Sequence, residues 1–572
     1  MCKFSLFGFA ALLAIQFPAE VYGGKGPEPV VWPIAQYVFT TAEQQILPIG
    51  LTASTPQINP GDVSLYAPYG YSAWQAGNGL DYVKRTELAP GFTGAPNVAR
   101  LLSFFTISDV HITDKESPAQ AIYLGWSAPY GPASSGLQSG YSPVILSTTQ
   151  VLDAAVQTIN ALHRRSPFDF GIALGDAVNN TQYNELRWYI DVLDGKVITP
   201  SSGGHAGAGT IDYQQPFRAF GLDKTIRWYQ VVGNHDQFWS GKFYEDKKTR
   251  HAHVGNTVIN MGDPPETADS TGVYMGVVDG STPFGDIIKA GPEQAIAVPP
   301  RVIPDKKRHS LSTSASSSLN WMKEFFRTTS KPVGHGFTQA NLDKDFASYS
   351  FKPKSKLPIK MIVLDDTCKG PGQTNYALGC LDKSRIRWLR RQLQKGQNEG
   401  HLMIIAAHVP INPQKTLATD SGNVPLLTTP SDASLLSMLH NYPNLILWIA
   451  GHRHVNVVTP QPYDPAIAGQ GPQNSFWEVE TSSLRDFPQQ FRTFDIHRNG
   501  DNTLSIIVTN VDPAVAEGSP AAKSRGYAIG AARIFGATPV IIADTSSHAY
   551  NAELVKQLSP EMQAKIAHYG SP

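Results

Sequence analysis

Short apolar runs, each followed at once by polar residues, repeat along the chain from about residue 100. The runs have the length of strands and end in turn residues, a pattern typical of buried β-strands. They cover residues 101–107, 170–174, 228–232, 361–364, 402–407 and 445–450. Helices are predicted between them, because apolar residues recur on one helical face in 148–164, 382–395 and 431–440. Strands that alternate with helices predict an α/β core.

Three later segments are predicted to close the same domain as strands: 477–480, 491–497 and 503–510. Their alternation of apolar and polar residues favours an antiparallel portion of the sheet. The C-terminal tail is predicted to be helical because apolar residues recur at every fourth position: Leu554, Leu558, Met562 and Ile566. Ser559 followed by Pro560 is typical of a helix start, so we expect two short helices there.

These patterns divide the chain into four parts. We predict a signal peptide over 1–23, an N-terminal wrapping segment over 24–99, one large domain over 100–512 and the helical tail over 513–572. A stretch rich in Gly, Pro, Ser and Lys, at about 240–355, is predicted to be an insertion in the large domain. Segments this long usually form lids or accessory subdomains.

The composition is that of a globular protein. Of the 572 residues 41% are hydrophobic, and 47 Lys and Arg balance 47 Asp and Glu. A neutral chain gives no sign of a nucleic-acid platform or of a polybasic membrane surface. No transmembrane segment is predicted, and the sequence does not indicate the oligomeric state.

The N-terminus and the cysteines both favour an exported protein. Lys3 precedes an apolar run at 4–17, which ends before small residues at a tolerable cleavage site and is too short to span a bilayer. A buried N-terminal helix is the alternative. Cys368 and Cys380 lie in a Gly- and Pro-rich stretch, and in an oxidising compartment they are expected to form a disulfide. Two unrelated thiols are the alternative. We therefore predict a secreted or periplasmic protein.

Five short motifs follow the predicted strands in order. They are Asp109-Val110-His111, Gly175-Asp176-Ala177-Val178-Asn179, Gly233-Asn234-His235-Asp236, His408, and Gly451-His452-Arg453-His454. Each motif alone is weak, because such residues are common in turns. In α/β folds, however, sites form beyond the carboxyl ends of the strands, where all five motifs stand. The set therefore predicts one site.

The residue types in these motifs indicate a metal site. Carboxylate oxygens and neutral imidazoles suit divalent transition metals such as Mn, Fe and Zn, and one Asp can bridge two cations. Two divalent cations against two carboxylates leave a positive site, which favours an anion such as a phosphate ester. A water that bridges two such cations is acidified toward hydroxide and becomes a nucleophile.

The order of the motifs resembles that of the calcineurin-like metallophosphoesterase superfamily, over about residues 100–510. The resemblance implies a four-layer α/β/β/α sandwich with a dinuclear site at the sheet ends. It assigns Asp109, His111 and His454 to one metal, Asn234, His408 and His452 to the other, and Asp176 to both. Asn179 stands where purple acid phosphatases carry a tyrosine, which disfavours an Fe(III)–tyrosinate centre.

The resemblance also implies roles for residues that do not bind metal. His235 would bind the phosphoryl group and protonate the leaving oxygen, as the general acid. Asp236 would orient His235 through a hydrogen bond, and Asn179 would support the site from behind.

Three other residues are candidates for substrate contacts. His251 and His253 lie in the insertion beside Lys247, Lys248 and Arg250, where the alternative is a solvated loop. Arg485 follows a predicted strand, where the alternative is a surface ion pair.

The predicted function is hydrolysis of a small-molecule phosphate ester. A diester is preferred, because a large insertion suits a substrate with two organic groups. A phosphomonoesterase is the first alternative. The others are a non-catalytic, metal-stabilised binding protein and a metallohydrolase of another bond, such as a zinc amidohydrolase.

Overall fold

The computed structural model describes residues 28–58, 61–123, 142–204, 207–258, 274–278, 280, 282–285, 287–290, 302–312, 317–367, 376, 379–411, 427–428, 432–534 and 550–569. The predicted signal peptide, residues 1–23, and Cys368 lie outside these residues, so export and the Cys368–Cys380 disulfide stay predictions.

The strands are β1 (Gln44–Pro48), β2 (Trp74–Asn78), β3 (Val83–Leu88), β4 (Asn97–Ile107), β5 (Ala121–Tyr123), β6 (Phe170–Ala173), β7 (Val197–Ile198), β8 (Phe217–Arg218), β9 (Trp228–Gln230), β10 (Tyr274–Val278), β11 (Ile287–Ala290), β12 (Tyr349–Phe351), β13 (Ile359–Val363), β14 (Gly379–Cys380), β15 (Leu402–Ala406), β16 (Leu427–Thr428), β17 (Leu445–Ala450), β18 (Val457–Gln461), β19 (Phe476–Glu480), β20 (Phe491–Asn499), β21 (Leu504–Val511) and β22 (Ala552–Lys556). The α-helices are α1 (Thr148–Arg165), α2 (Tyr183–Asp194), α3 (Lys247–Val254), α4 (Leu319–Glu324), α5 (Gln339–Lys344), α6 (Lys383–Asn398), α7 (Asp432–Leu439), α8 (Pro520–Ile534) and α9 (Pro560–Ile566). The predicted core strands and helices all appear.

Two mixed sheets form the centre of the protein. One has seven strands in the order β3-β22-β21-β20-β4-β6-β9, and the other has six in the order β12-β13-β15-β17-β19-β18. Strands β4, β6 and β9 are parallel to one another, and so are β13, β15, β17 and β19. The predicted antiparallel portion is present where β20 pairs with β21 and β4.

Alternate side chains of the six-stranded sheet face different layers. Met361 and Val363 of β13 belong to a core cluster that includes residues of the seven-stranded sheet. Ile362, between them, packs instead in a cluster with Leu389 of α6 and Leu439 of α7. Because strand side chains alternate between faces, one face of this sheet packs on the other sheet and one on helices.

Helices α1 and α2 cover the seven-stranded sheet in the same way. Leu152 and Ile159 of α1 and Leu186 of α2 are buried in the cluster that contains Phe105 of β4 and Ile172 of β6. The architecture is therefore the predicted α/β/β/α sandwich.

The tail differs from the prediction of a helical segment. Helices α8 and α9 are present, and Ser559 caps α9 with Pro560 in its first turn, as predicted. Residues Ala552–Lys556, however, form strand β22, which pairs with β21 on one side and with β3 on the other. The helix predicted through Leu554 is wrong, because the open edges of β21 and β3 supply hydrogen-bond partners that a local apolar spacing does not reveal.

The two segments predicted to lie outside the core both join it in part. Strand β3 of the N-terminal segment forms the edge of the seven-stranded sheet. Within the insertion, Trp321, Phe325 and Phe337 are buried in the central core, and β12 is the edge of the six-stranded sheet. The later part of 240–355 is thus integral to the sandwich.

Among the helices that the structure describes, none combines the length and apolar character needed to cross a bilayer.

A stack of aromatic rings runs through the seven-stranded sheet and provides a test of the core. Phe104 is fully buried, and its ring lies 4.9 Å from that of Phe170 and 4.8 Å from that of Phe494, nearly parallel to both. We expect Phe104→Ala to lower the free energy of unfolding by about 3–5 kcal/mol, because it leaves a cavity between two rings. Urea denaturation followed by circular dichroism measures this. Phe39→Ala, at a side chain 41% exposed, is the control. Equal midpoints for the two variants would contradict the assignment of Phe104 to the core.

Candidate metal centre

The five motifs stand directly after strands of both sheets. Asp109, Asp176 and Asn234 follow β4, β6 and β9 of the seven-stranded sheet, whereas His408 and the pair His452/His454 follow β15 and β17 of the six-stranded sheet. Because the strands within each set are parallel, their carboxyl ends share one edge of the sheet, and packing of the sheets brings the two edges together.

The first group consists of Asp109, His111 and His454, and it is called here the first cation position. Their ligand atoms all lie within 4.8 Å of one another. Nε2 of His454 is 3.2 Å from Oδ1 of Asp109 and 3.2 Å from Nε2 of His111.

The second group consists of Asn234, His408 and His452 and is the second cation position. Oδ1 of Asn234 lies 2.9 Å from Nε2 of His408 and 3.1 Å from Nδ1 of His452, and these two nitrogens are 3.2 Å apart.

Asp176 lies between the two positions. Its Oδ2 is 3.6 Å from Nε2 of His111 and 3.2 Å from Nε2 of His408. Its Oδ1 accepts a hydrogen bond of 2.8 Å from the backbone N–H of His235. A single carboxylate thus contacts both groups, as a bridging ligand would.

The hydrogen bonds behind three imidazoles fix which ring nitrogen carries the proton. Nδ1 of His111 donates to Oδ1 of Asn179 (3.3 Å), Nδ1 of His408 to the carbonyl of Leu174 (2.7 Å) and Nδ1 of His454 to Oδ2 of Asp486 (2.6 Å). In the neutral rings, Nε2 then presents a lone pair to the centre. When both rings are neutral, the lone pairs of His111 and His454 face each other at 3.2 Å and repel unless a proton or a metal cation lies between them.

Asp109 gives a second sign that the residues fit a metal. Its Oδ1 is buried and has no hydrogen-bond partner among the described residues, although imidazole nitrogens surround it. An unsatisfied buried carboxylate oxygen is costly, and a cation would satisfy it. The residues present therefore fit a pair of divalent cations.

The charge of the metal-free cluster supports the same conclusion. Burial favours the neutral form of His408, but Asp176 and Asp109 outweigh it and raise the pKa of His408 to about 10. Burial acts likewise on His454, and Asp109 and Asp486 raise the pKa of that ring to about 10. Without metal, two imidazolium charges thus offset the buried carboxylates, which is the role that bound cations would take over.

Five of the seven predicted ligand residues have an unusual backbone conformation. The φ angle is positive at Asp109 (50°), His111 (47°), Asp176 (50°), His452 (72°) and His454 (58°). Such angles are uncommon for residues other than glycine and cost about 1–3 kcal/mol each. Strain of this kind is held by the surrounding structure and collects at functional sites, where it aims side chains inward.

The structure corrects the predicted role of Asp236. The carboxylate of Asp236 accepts hydrogen bonds from the backbone N–H groups of Asp176, Ala177, Val178 and Gly233, at 2.8–3.3 Å, and not from the ring of His235. The ring of His235 is held instead by the backbone of Asn179, whose carbonyl accepts from Nδ1 at 2.8 Å. Asp236 is buried beneath the strand ends and accepts from four of their N–H groups, so it ties two motif loops together.

Asn179 and Arg485 lie behind the cluster. Asn179 contacts His111 through its side chain and His235 through its carbonyl, and its Nδ2 donates to Gln120 at 2.9 Å. Asn179 therefore contacts two histidines of the cluster, and its supporting role stays a prediction. Arg485 donates from Nη1 to Oδ1 of Asn179 at 3.2 Å and is only 2% exposed, so the alternative of a surface ion pair is wrong.

The two histidines of the insertion do not join the cluster. His253 is fully buried, and its ring nitrogens contact Gln182 at 2.7 Å and Glu245 at 2.5 Å. Both nitrogens are taken by protein partners, which leaves none for a substrate. His251 is exposed on α3 and belongs to no group of converging metal-ligand atoms among the described residues.

Three further residues shape the site without having been predicted. Asp486 contacts His454, and Asp366 accepts from the backbone N–H groups of His408 (3.3 Å) and Val409 (2.8 Å). Asp486 follows β19 and Asp366 follows β13. Both therefore stand beyond the carboxyl end of a strand, as the five motifs do. The third is Gly241, whose carbonyl accepts a 3.0 Å hydrogen bond from Nδ2 of Asn234 and so turns Oδ1 toward the second cation position.

Comparison with known proteins finds structural similarity at low sequence identity. No protein-family model matches the chain, and no curated protein does. Among solved structures, a dimetal phosphatase from Danio rerio is 11% identical with a TM-score of 0.36, and the match covers 73% of this chain and 99% of that one. The sulfate thiohydrolase SoxB from Thermus thermophilus, in complex with glycerol, is 11% identical with a TM-score of 0.28, over 77% and 62% of the two chains. Likeness this weak does not transfer a function.

Gly241 allows a test of the second cation position. Its φ is +66°, and a Cβ added there would lie 2.4 Å from Nε2 of His235 and 2.5 Å from Nδ2 of Asn234. We expect Gly241→Ala to lower the metal affinity of the second position by about 10- to 100-fold, because it displaces the amide that orients a ligand. Elemental analysis after dialysis against graded Zn²⁺ or Mn²⁺ measures the loss.

Gly91→Ala is the matched control, since nothing lies within 4 Å of a Cβ added at Gly91. Gly241→Ala protein that binds metal as the wild type does would show that the close approach of Gly241 has no part in holding Asn234.

Proposed function

We propose that this protein is a dinuclear metal-dependent hydrolase of phosphate esters, of the calcineurin-like metallophosphoesterase type. The observation that supports this most directly is the position of Asp176, whose carboxylate lies 3.6 Å from His111 and 3.2 Å from His408, each in a different group of metal-ligand side chains. When bound, two divalent cations would supply positive charge for the phosphoryl oxygens and an acidified water as nucleophile.

The protein supplies the fixed arrangement of these groups. Asp109, His111 and His454 would hold the first cation, and Asn234, His408 and His452 would hold the second, with Asp176 shared. The identity of the metals, Mn, Fe or Zn, is open, because carboxylate, amide and imidazole ligands accept all three.

His235 is proposed as the general acid that protonates the leaving oxygen. Its ring lies edge-on to that of His111 with centroids 4.4 Å apart, so it borders the first cation position. Nδ1 donates to the carbonyl of Asn179, which leaves Nε2 to face a substrate. Burial lowers the pKa of His235 to about 3 in the protein alone, so the ring is neutral at pH 7. The negative charge of a bound phosphate ester favours the imidazolium form, and we propose that the ring takes up its proton with the substrate.

Within this reaction class a phosphodiester is the preferred substrate and a phosphomonoester the alternative. The preference rests on the long insertion, which suits a substrate with two organic groups. We further propose that the chain is exported through residues 1–23 and acts in the periplasm or outside the cell. Cell fractionation of the full chain and of a chain without these residues tests the export.

The rival functions have less support. A non-catalytic binding protein would not need His235 beside a complete set of metal ligands, yet the cluster contains both. A metallohydrolase of another bond would not require these five motifs in this order.

Assays with p-nitrophenyl phosphate and bis(p-nitrophenyl) phosphate test the proposal and separate its two forms. The protein should be loaded with Mn²⁺ or Zn²⁺, and a chelator should abolish turnover. Faster hydrolysis of the diester supports a phosphodiesterase. Absence of metal-dependent turnover across a panel of phosphate esters would reject the proposed function.

The role of His235 can be tested through the leaving group. We expect His235→Ala to retain bound metal but to lose about 10²–10⁴-fold in kcat, because general acid catalysis is removed. The loss should be larger for phenyl phosphate than for p-nitrophenyl phosphate, since the more basic leaving oxygen depends more on the proton. The measurement is kcat for both substrates at matched metal content.

The control is His568→Ala, which removes an exposed imidazole near the C-terminus. Equal losses on the two substrates would argue against proton donation by His235, and wild-type turnover would exclude any catalytic role.

A further inference from the structure

His454 is the ligand imidazole that is backed by a charged group. Its Nδ1 lies 2.6 Å from Oδ2 of Asp486, while its Nε2 faces Asp109 and His111 at 3.2 Å. The side chains of His454 and Asp486 are only 16% and 10% exposed, so water screens this pair weakly.

The other two imidazoles held through Nδ1 have neutral acceptors. His408 donates to the carbonyl of Leu174 and His111 to the amide oxygen of Asn179. A carboxylate that accepts from Nδ1 fixes the tautomer of the imidazole, as these neutral acceptors do. Its negative charge also makes Nε2 a stronger electron-pair donor to a cation.

The segment that carries Asp486 is fastened to the loop that carries Asp109. Oγ of Ser483 donates to the carbonyl of Asp109 at 2.7 Å and accepts from the backbone N–H groups of Arg485 (2.8 Å) and Asp486 (3.2 Å). Asp486 is therefore held in register with the first cation position and not merely near it.

The two positions consequently differ in the carboxylates that contact their ligands. The first has a carboxylate of its own in Asp109 and a second one, Asp486, behind His454. At the second, Asn234, His408 and His452 are neutral ligands, and the carboxylate of Asp366 is bound to backbone N–H groups instead of to an imidazole. Asp176 contacts both groups, at 3.6 Å from His111 and 3.2 Å from His408.

We propose that Asp486 is a positioning residue that makes the first cation position bind its ion more tightly than the second, so that the two positions fill in order. This inference rests on the proposed dinuclear function. The residue acts through its negative charge on His454 and through the fixed orientation of that ring, without touching the substrate.

Titration of the metal-free full-length protein with Zn²⁺ or Mn²⁺ tests the proposal. The wild type is expected to show two binding events of unequal affinity. In Asp486→Asn, which keeps a hydrogen-bond acceptor but removes the charge, the tighter event should weaken by about 10- to 100-fold while the weaker one stays unchanged. Titration with Co²⁺ gives a spectroscopic readout, because the visible absorption of the first equivalent should change in the variant.

Two variants make the result specific. Asp512→Asn is the matched control, since Asp512 is a partly buried carboxylate that accepts from Ile46 and Gln490 and lies outside the cluster. It should leave both affinities unchanged. Asp486→Glu retains the charge and should keep the affinities unequal, which decides the matter if Asp486→Asn does not fold.

If the wild type binds its two cations with unequal affinity and Asp486→Asn leaves that difference unchanged, this inference alone is overturned. An equal loss of metal affinity at both positions in Asp486→Asn would also overturn it. A wild-type protein that binds fewer than two cations would overturn the proposed function and this inference with it.

Discussion

The face-to-face packing of two mixed sheets is the constraint on which the candidate site depends. One sheet carries Asp109, His111, Asp176 and Asn234, and the other carries His408, His452 and His454. Neither sheet alone holds a complete set of ligands for either position. Contacts across the interface, such as the 3.0 Å hydrogen bond between Thr106 and Thr481, align the strand ends. Because interiors pack densely, a shift of one sheet against the other would cost core contacts along its whole length.

The buried core also explains how strained loops persist at the strand ends. Residues with positive φ are unfavourable locally, yet the loops are cross-linked by hydrogen bonds that only the correct fold can form. The backbone N–H groups of Asp109 and His111 donate to the carbonyls of Gly175 and Asp176. The carboxylate of Asp236 accepts from the backbone N–H groups of Asp176 and Ala177. Gly175 is needed because a Cβ there would lie 2.6 Å from Nδ1 of His408. Stability generated in the sandwich is thus used to hold a preorganised centre.

The cluster is symmetrical in its ligand atoms but not in its surroundings. The two proposed cation positions share Asp176 and have three further candidate ligands each, whereas among the described residues a carboxylate bonds to the outer nitrogen of an imidazole at the first position alone. A difference of this kind is invisible to a comparison of ligand types alone. It arises from the loop after β19, which the hydrogen bonds of Ser483 attach to the Asp109 loop.

The α/β class and the core strands could be predicted from the sequence, because apolar runs are local patterns, whereas the seven proposed metal ligands were implied by the resemblance of the motifs to a known family. The sequence did not reveal strand β22, which exists only because β21 and β3 offer it hydrogen-bond partners. Tertiary structure also decided what Asp236, His253 and Asp486 contact, since each meets its partner through the fold. Residue type and spacing indicate which side chains can bind a metal. The partners that orient these side chains come from loops that the fold brings together from distant parts of the chain.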